Sequence, residues 1–435
     1  MPEVAERLTD SVAERTPEVA PAPAAEKYPL GPLKVVHAFW LAGMSCDGCS
    51  IAVVGATNPS VESLLSGTMP AIPKVILHHS VLSVEAGEEF VHNYEMAEKN
   101  QLGAPYVIIY EGSIADERIA AATGGYWSSL GVEDIGKDAN GDDIKRPIPT
   151  SEWLKRMAPG AAAVIAIGTC ATWGGIPAAA GNPTGSMSVM DFLGRDYRSA
   201  FGLPVINIPG CSPVGDNFTE TVALILLFLQ GLAPLPEFDD IGRPAWLFNE
   251  TVHHRCVRAG FYEEGIFAKE YGDHECLVEV GCWGPVVQCN ITSRGAINHM
   301  GGCMNTGGIC IGCTMPGFPD RFAPFYKKPP GTIVSSNASR AYGSVIRRLR
   351  RITQEFGNRE VRWSWKGDVP SGWGELPKPS WLHRGIHYFY EKWQFAGGQR
   401  PGRHGDDPKY WGAKRPSASK TVYHDRITTF KDDRN

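Results

Sequence analysis

Seven of the chain's eleven cysteines crowd between Cys256 and Cys313, at positions 256, 276, 282, 289, 303, 310 and 313. Around them glycine is frequent and regular periodicity is weak, a texture expected where metal replaces much of a hydrophobic core. An odd total does not suit a fully paired disulfide framework, and no secretory signal opens the chain. The default is therefore a reducing compartment, with thiolates kept for metal rather than for cystines. Seven thiols cannot complete two four-sulfur sites. One histidine completes the eighth position, and both His253 and His254 stand just before Cys256.

The other four cysteines share a structural context. Val35 to Leu41, Lys74 to His78, Tyr106 to Tyr110, Ala163 to Gly168 and Pro204 to Ile208 read as buried strands, short and bounded by Gly or Pro. Val61 to Leu65, Glu88 to Lys99 and Glu152 to Met157 read as helices between them. That alternation predicts an α/β fold, a mostly parallel sheet with helices on both faces. Cys46 and Cys49 follow the first strand, Cys170 the fourth and Cys211 the fifth. Ligands of open parallel sheets gather at the carboxyl ends of the strands, so these four thiolates make a plausible four-ligand site. A lone cysteine after a strand is more often a small buried hydrophobe; four of them at one sheet end weaken that reading. Eleven cysteines and one histidine give twelve ligands, enough for three cubane iron–sulfur clusters. Zinc accepts the same donors, and spacing does not separate the two.

The 435 residues exceed one ordinary core, and a net charge of −5 gives no reason to expect nucleic acid as the main partner. The longest apolar run, Val222 to Leu229, is too short to span a bilayer. Residues 1–33, rich in Ala, Pro and Glu, read as a disordered arm. The sheet domain is expected over 34–217, with 131–150 as a surface excursion. A loop-rich domain follows over 218–325, opening with a buried helix from Phe218 to Leu232. The last part, 326–435, contains no cysteine and carries Arg347-Arg348-Leu349-Arg350-Arg351 and Trp363-Ser364-Trp365. It reads as an assembly or docking extension.

Taken in order, the motifs resemble the small subunit of nickel–iron hydrogenases. The resemblance runs from about Val35 to Phe325. It rests on Cys46-Asp47-Gly48-Cys49-Ser50, Glu111-Gly112-Ser113-Ile114, Gly168-Thr169-Cys170-Ala171-Thr172-Trp173-Gly174-Gly175-Ile176 and Ile208-Pro209-Gly210-Cys211. His253-x-x-Cys256, Cys276, Gly281-Cys282-Trp283-Gly284-Pro285 and Cys310-Ile311-Gly312-Cys313-x-x-Pro316-x-Phe318 complete it. It implies a flavodoxin-like doubly wound sheet followed by a loop-rich iron–sulfur domain. It also implies a nickel–iron centre in a partner large subunit, with no catalytic residue in this chain. Electrons from hydrogen oxidation would pass through three clusters to an acceptor. By this resemblance Cys46, Cys49, Cys170 and Cys211 hold the proximal 4Fe–4S cluster. His253, preferred over His254, joins Cys256, Cys276 and Cys282 at the distal 4Fe–4S cluster. Cys289, Cys310 and Cys313 match three ligands of the medial cluster.

Departures from the family pattern sharpen the expectation. Many members have proline where this chain has Cys303, so the medial cluster is expected to be 4Fe–4S. Two additional cysteines found around the proximal cluster in some oxygen-tolerant members correspond to Gly48 and Gly175 here. The usual twin-arginine signal and terminal membrane helix are not found, which suggests a cytoplasmic protein or one peripheral to the membrane. A higher oligomer of heterodimers is expected. Glu111 is a candidate proton relay, weighed against a carboxylate merely bonded at a strand end. The competing readings are a single-cluster quinone-reductase-like subunit and a zinc-stapled, non-enzymatic interaction module.

Overall fold

The computed structural model describes residues 33–122 and 124–356. The expected arm up to residue 32 and the extension beyond 356 lie outside the described residues. In chain order the described elements begin with β1 (Val35–Ala42), α1 (Gly48–Val54), α2 (Val61–Ser66), β2 (Lys74–His78), α3 (Gly87–Glu98) and β3 (Tyr106–Glu111). Next come α4 (Glu117–Ala121), β4 (Ser129–Lys137), β5 (Asp143–Pro149), α5 (Thr150–Met157), β6 (Ala163–Ile167) and α6 (Gly168–Trp173). The remainder are α7 (Val189–Leu193), β7 (Ile206–Ile208), α8 (Gly215–Leu229), α9 (Ala259–Glu263), α10 (Ile291–Arg294) and α11 (Thr332–Phe356).

The parallel strands are ordered β2-β1-β3-β6-β7, the doubly wound order of flavodoxin-like sheets. Strand periodicity of two sends alternate side chains to opposite faces. Phe39, Leu41, Tyr106, Ile108 and Tyr110 join one buried cluster with Tyr94, Trp153 and Leu154. Val36, Ala38, Trp40, Val107 and Ile109 join the other, closed by Phe218, Val222, Ile225, Leu226 and Leu229 of α8. Helix α8 therefore crosses the expected boundary at 217 and continues the sheet's core. The expected surface excursion at 131–150 is largely an antiparallel ribbon, β4 against β5. Polar and apolar residues alternate too irregularly there for strands to be read from the sequence. Arg146 and Arg156 anchor the ribbon to α5 through Glu133 and Glu152.

Beyond α8 the chain forms short turns around a small core. Val252, Leu277, Cys282, Val287, Met304, Cys310, Met315, Phe318 and Phe322 share it, so cysteines contribute directly to its packing. Two contacts lock it to the sheet domain beside α6. Thr169 Oγ1 donates to the Cys313 carbonyl, and Trp173 Nε1 donates to the Thr314 carbonyl at 3.1 Å.

Candidate functional site

All eleven cysteines are unpaired. Cys46 lies in the loop after β1, Cys49 in α1, Cys170 in α6 after β6 and Cys211 in the loop after β7. The strand ends bring them together at the sheet's carboxyl edge. Burial first, then Glu111 and the thiols of Cys170, Cys46 and Cys211, push the Cys49 thiol far above its ordinary value. Cys170 is pushed up to about 12, by burial first and then by Cys211, Cys46 and Glu111. Burial and Cys46 raise Cys211. A β-carbon added at Gly175 would stand 2.8 Å from Cys170 Sγ, and one at Gly48 3.3 Å from Cys46 Sγ. Gly168, at φ 82°, likewise leaves room for Cys49 Sγ. Glycine here keeps backbone close to sulfur where any side chain would fill the cradle.

A buried carboxylate fixes the Cys46–Cys49 loop from behind. Glu111, at the end of β3 and 1% exposed, accepts from Trp40 Nε1 at 2.9 Å and from the Cys49 amide at 3.1 Å. It also accepts from the Ser50 amide and hydroxyl. Ser50 Oγ in turn meets His79 Nε2 at 3.1 Å. The Val81 amide donates to His79 Nδ1, so the ring proton sits on Nε2 and points at Ser50. Sequence reasoning singled out Glu111, quoted Ser50 only as part of a motif, and missed Trp40 and His79, which come from separate segments.

Cys289, Cys303, Cys310 and Cys313 form a second group. Cys289 is pushed up to about 12 by burial, with Cys303 adding to the rise. Burial raises Cys313 beyond that, followed by Cys289, Cys303 and, from the first group, Cys211. Cys303 is exposed and Cys310 buried. Behind this group lies a fully buried cation that no sequence pattern flagged. Arg243 Nε donates to Asp239 Oδ2 at 2.7 Å and its Nη2 to Gln288 Oε1 at 2.6 Å, and its charge favours the Cys289 thiolate.

Cys256, Cys276 and Cys282 form the third group. Cys276 is raised to about 12 by burial, then by Cys282 and Cys256, against an amide bond from Val278. The Cys310 and Gly284 amides donate to Cys282 Sγ at 3.3 and 3.4 Å, joining the second group to the third. The His253 amide bonds the Gly284 carbonyl at 3.1 Å, and its ring packs edge-on to Tyr262. Burial lowers the His253 pKa to about 4, which leaves a neutral imidazole with a lone pair. His254 is exposed and pairs with Glu250 at 3.4 Å. Among the described residues no three His, Cys, Asp or Glu side chains converge on a point where one metal ion could sit. The thiols form looser groups, some buried and others exposed, whose thiolate forms would repel one another and which are supplied with amide donors. A cationic iron core relieves that repulsion and accepts sulfur donors, so the residues fit iron–sulfur clusters.

Comparison with known proteins shows the family. A family model for the C-terminal part of the NiFe/NiFeSe hydrogenase small subunit matches residues 248–326. A second, for the 20 kDa subunit of NADH ubiquinone oxidoreductase, matches residues 46–225. The periplasmic NiFeSe hydrogenase small subunit of Desulfomicrobium baculatum is 31% identical over 295 residues, covering 67% of this chain and 87% of that protein. The hydrogenase-2 small chain of Escherichia coli K12 is 32% identical over 285 residues, 64% of this chain and 66% of that one. Among solved structures, the actinobacterial-type NiFe-hydrogenase from Ralstonia eutropha H16 superposes with a TM-score of 0.70 at 47% identity. That match covers 80% of this chain and 97% of the other. The chain belongs to the nickel–iron hydrogenase small-subunit family. It is thus one part of a heteromeric hydrogenase, whose nickel–iron centre resides in the large subunit. Among the described residues no helix is long and apolar enough to cross a membrane.

Proposed function

We propose that this chain is a three-cluster electron relay serving hydrogen oxidation in its large-subunit partner. Cys46, Cys49, Cys170 and Cys211 would hold the proximal 4Fe–4S cluster. The medial one would fall to Cys289, Cys303, Cys310 and Cys313, and the distal one to His253, Cys256, Cys276 and Cys282. Bound there, the clusters supply one-electron redox chemistry between the nickel–iron centre and an acceptor. The observation that carries the reading is the linkage of the three thiol groups in series. Cys211 meets Cys313 between the first two groups, and the Cys310 amide meets Cys282 between the second and third.

The chain's own residues shape each site. Glu111 holds the Cys49 amide and the Ser50 hydroxyl, so the proximal loop is set before any metal arrives. That bonding satisfies the carboxylate fully and favours a positioning role for Glu111 over proton relay. Arg243 places positive charge behind Cys289, and amides from Asn290 and Ile291 also support its thiolate. Both effects favour the reduced, more negative state of a cluster and raise its potential. Neutral His253 acts in the same direction at the distal site. Eleven unpaired thiols support a cytoplasmic placement, and cell fractionation tests it against the periplasmic placement stated for the D. baculatum relative.

The match of residues 46–225 to a quinone-oxidoreductase subunit is the one observation favouring a single-cluster carrier. The second and third thiol groups lie outside that match and weigh against it. Iron and acid-labile sulfide analysis tests the assignment. About twelve iron atoms per chain are expected for three cubanes. About four atoms support the single-cluster reading, and a colourless zinc-loaded protein refutes the relay. Hydrogen-dependent dye reduction is expected only when the large subunit is present.

A further inference from the structure

Helix α11, Thr332–Phe356, starts beyond residues 248–326 that match the hydrogenase family model, yet it bears on both segments that supply the third thiol group. One segment holds His253 and Cys256 and runs on into α9, whose Tyr262 packs against the His253 ring. The other is the turn Leu277–Val280, which joins Cys276 to Cys282. The apolar core under this group is small. Phe267, Cys276 and Val278 are buried in it, with Phe261 and Tyr262 at its edge. So few side chains do little against the conformational entropy of a loop-rich segment, and other contacts must hold it.

Against the first segment α11 makes backbone contact. A β-carbon at Gly343 would collide with the Glu264 main chain, and one at Gly265 with the main chain of Arg340. Each glycine lets the other segment approach where any side chain would force α11 away. Against the second segment the contact is ionic. Glu279 accepts from Arg340 Nη2 at 2.7 Å, pairs with Lys328 at 3.7 Å and is also bonded by the buried Ser336. Its carboxylate is only 12% exposed, so these partners replace much of its water. Arg340 reaches further. Its guanidinium lies 5.2 Å from the centre of the Phe267 ring. Phe267 pairs with Cys276 in an isolated bridge, and the Ala268 amide donates to the Cys276 carbonyl at 3.0 Å. One side chain therefore touches the strip beside Cys276 and the turn that leads to Cys282.

We propose that α11 is a clamp that holds the third thiol group in place for its cluster, with Arg340 as the positioning residue. That the clamped group binds a cluster rests on the relay reading; that α11 fixes 259–265 against 276–282 does not.

Hydrogen exchange of the assembled enzyme, with iron content and cluster potentials of the same samples, tests it. The reporting amides are Ala268, bonded to Cys276, and Cys282, bonded to the Leu277 carbonyl at 3.2 Å. In Arg340→Met both should exchange about tenfold faster, while Ile108 in the central sheet keeps its rate. About four of about twelve iron atoms should be lost on purification. Molecules that retain the third cluster should show a lower potential for it, because a cation has been withdrawn. Arg340→Lys keeps the charge and should restore both the exchange rates and the potential. Gly343→Ala removes no charge but lifts α11 from α9, and should repeat the faster exchange. Val345→Ser, at a position 54% exposed on the same helix, should change nothing. Unchanged exchange and potential in Arg340→Met overturn the clamp. Equal acceleration at Ile108 also overturns it, since α11 then serves general stability alone. If Arg340→Met does not assemble, the native enzyme decides. Amides of 336–343 and 277–282 should open together, and a protected turn beneath an open α11 overturns the clamp. A native enzyme without iron at the third site removes the relay reading and leaves the exchange rates to judge the clamp.

Discussion

At His253 and His254, adjacent imidazoles meet opposite environments, one buried against Tyr262 and the other paired with Glu250 at the surface. Spacing before Cys256 leaves both open; burial separates them. His254→Ala should therefore leave the iron content unchanged, whereas His253→Ala should remove up to about four iron atoms. His253→Cys should retain the iron and lower the distal potential, read by redox titration, because a thiolate adds negative charge. Cys303 is the residue on which the type of the proposed medial cluster turns. Cys303→Ala is expected to lose about one iron atom and to show a three-iron paramagnetic signal when oxidised, a signal the native protein should lack.

At the scale of elements, loops and the short helices that follow strands hold the thiols, and buried polar pairs hold those segments. Glu111 joins the end of β3 to α1 and, through Trp40, to β1. Glu111→Gln keeps the shape but turns an amide N–H toward groups that are themselves donors. A loss of about 1–3 kcal/mol is expected in denaturant unfolding. Arg243 ties the segment after α8 to Gln288, next to Cys289. Arg243→Met strands Asp239 as an unpaired buried carboxylate and should cost about 3–5 kcal/mol, with a drop in the medial potential. Strand positions were readable because buried parallel strands are short continuous apolar runs. The ribbon of β4 and β5 was not, since Gly, Pro and charged residues interrupt its apolar positions and cross-strand pairing is non-local.

Across the whole molecule, two buried faces of one sheet and a small cysteine-rich core combine into a scaffold whose stability depends on pH. His78, stacked on Phe39, bonded to His37 and near Glu85, has its pKa lowered to about 4 by burial and by His37, with Glu85 opposing. The unfolded chain binds this proton near pH 6.5, so stability is fully present above that pH and falls as pH drops toward 4. The loss is of the order of 3 kcal/mol. A His78→Leu variant should flatten the dependence between about pH 7 and 4.5 in thermal unfolding. By itself the sequence determined the parallel α/β fold and the family, and it supplied the candidate sulfur donors, because thiol chemistry and strand periodicity are local properties. Only the tertiary structure decided which thiols face one another, how Cys211 meets Cys313 and Cys310 meets Cys282, which histidine is buried, and where Glu111 and Arg243 act. Those are contacts between residues tens of positions or more apart, set by packing that no local pattern records.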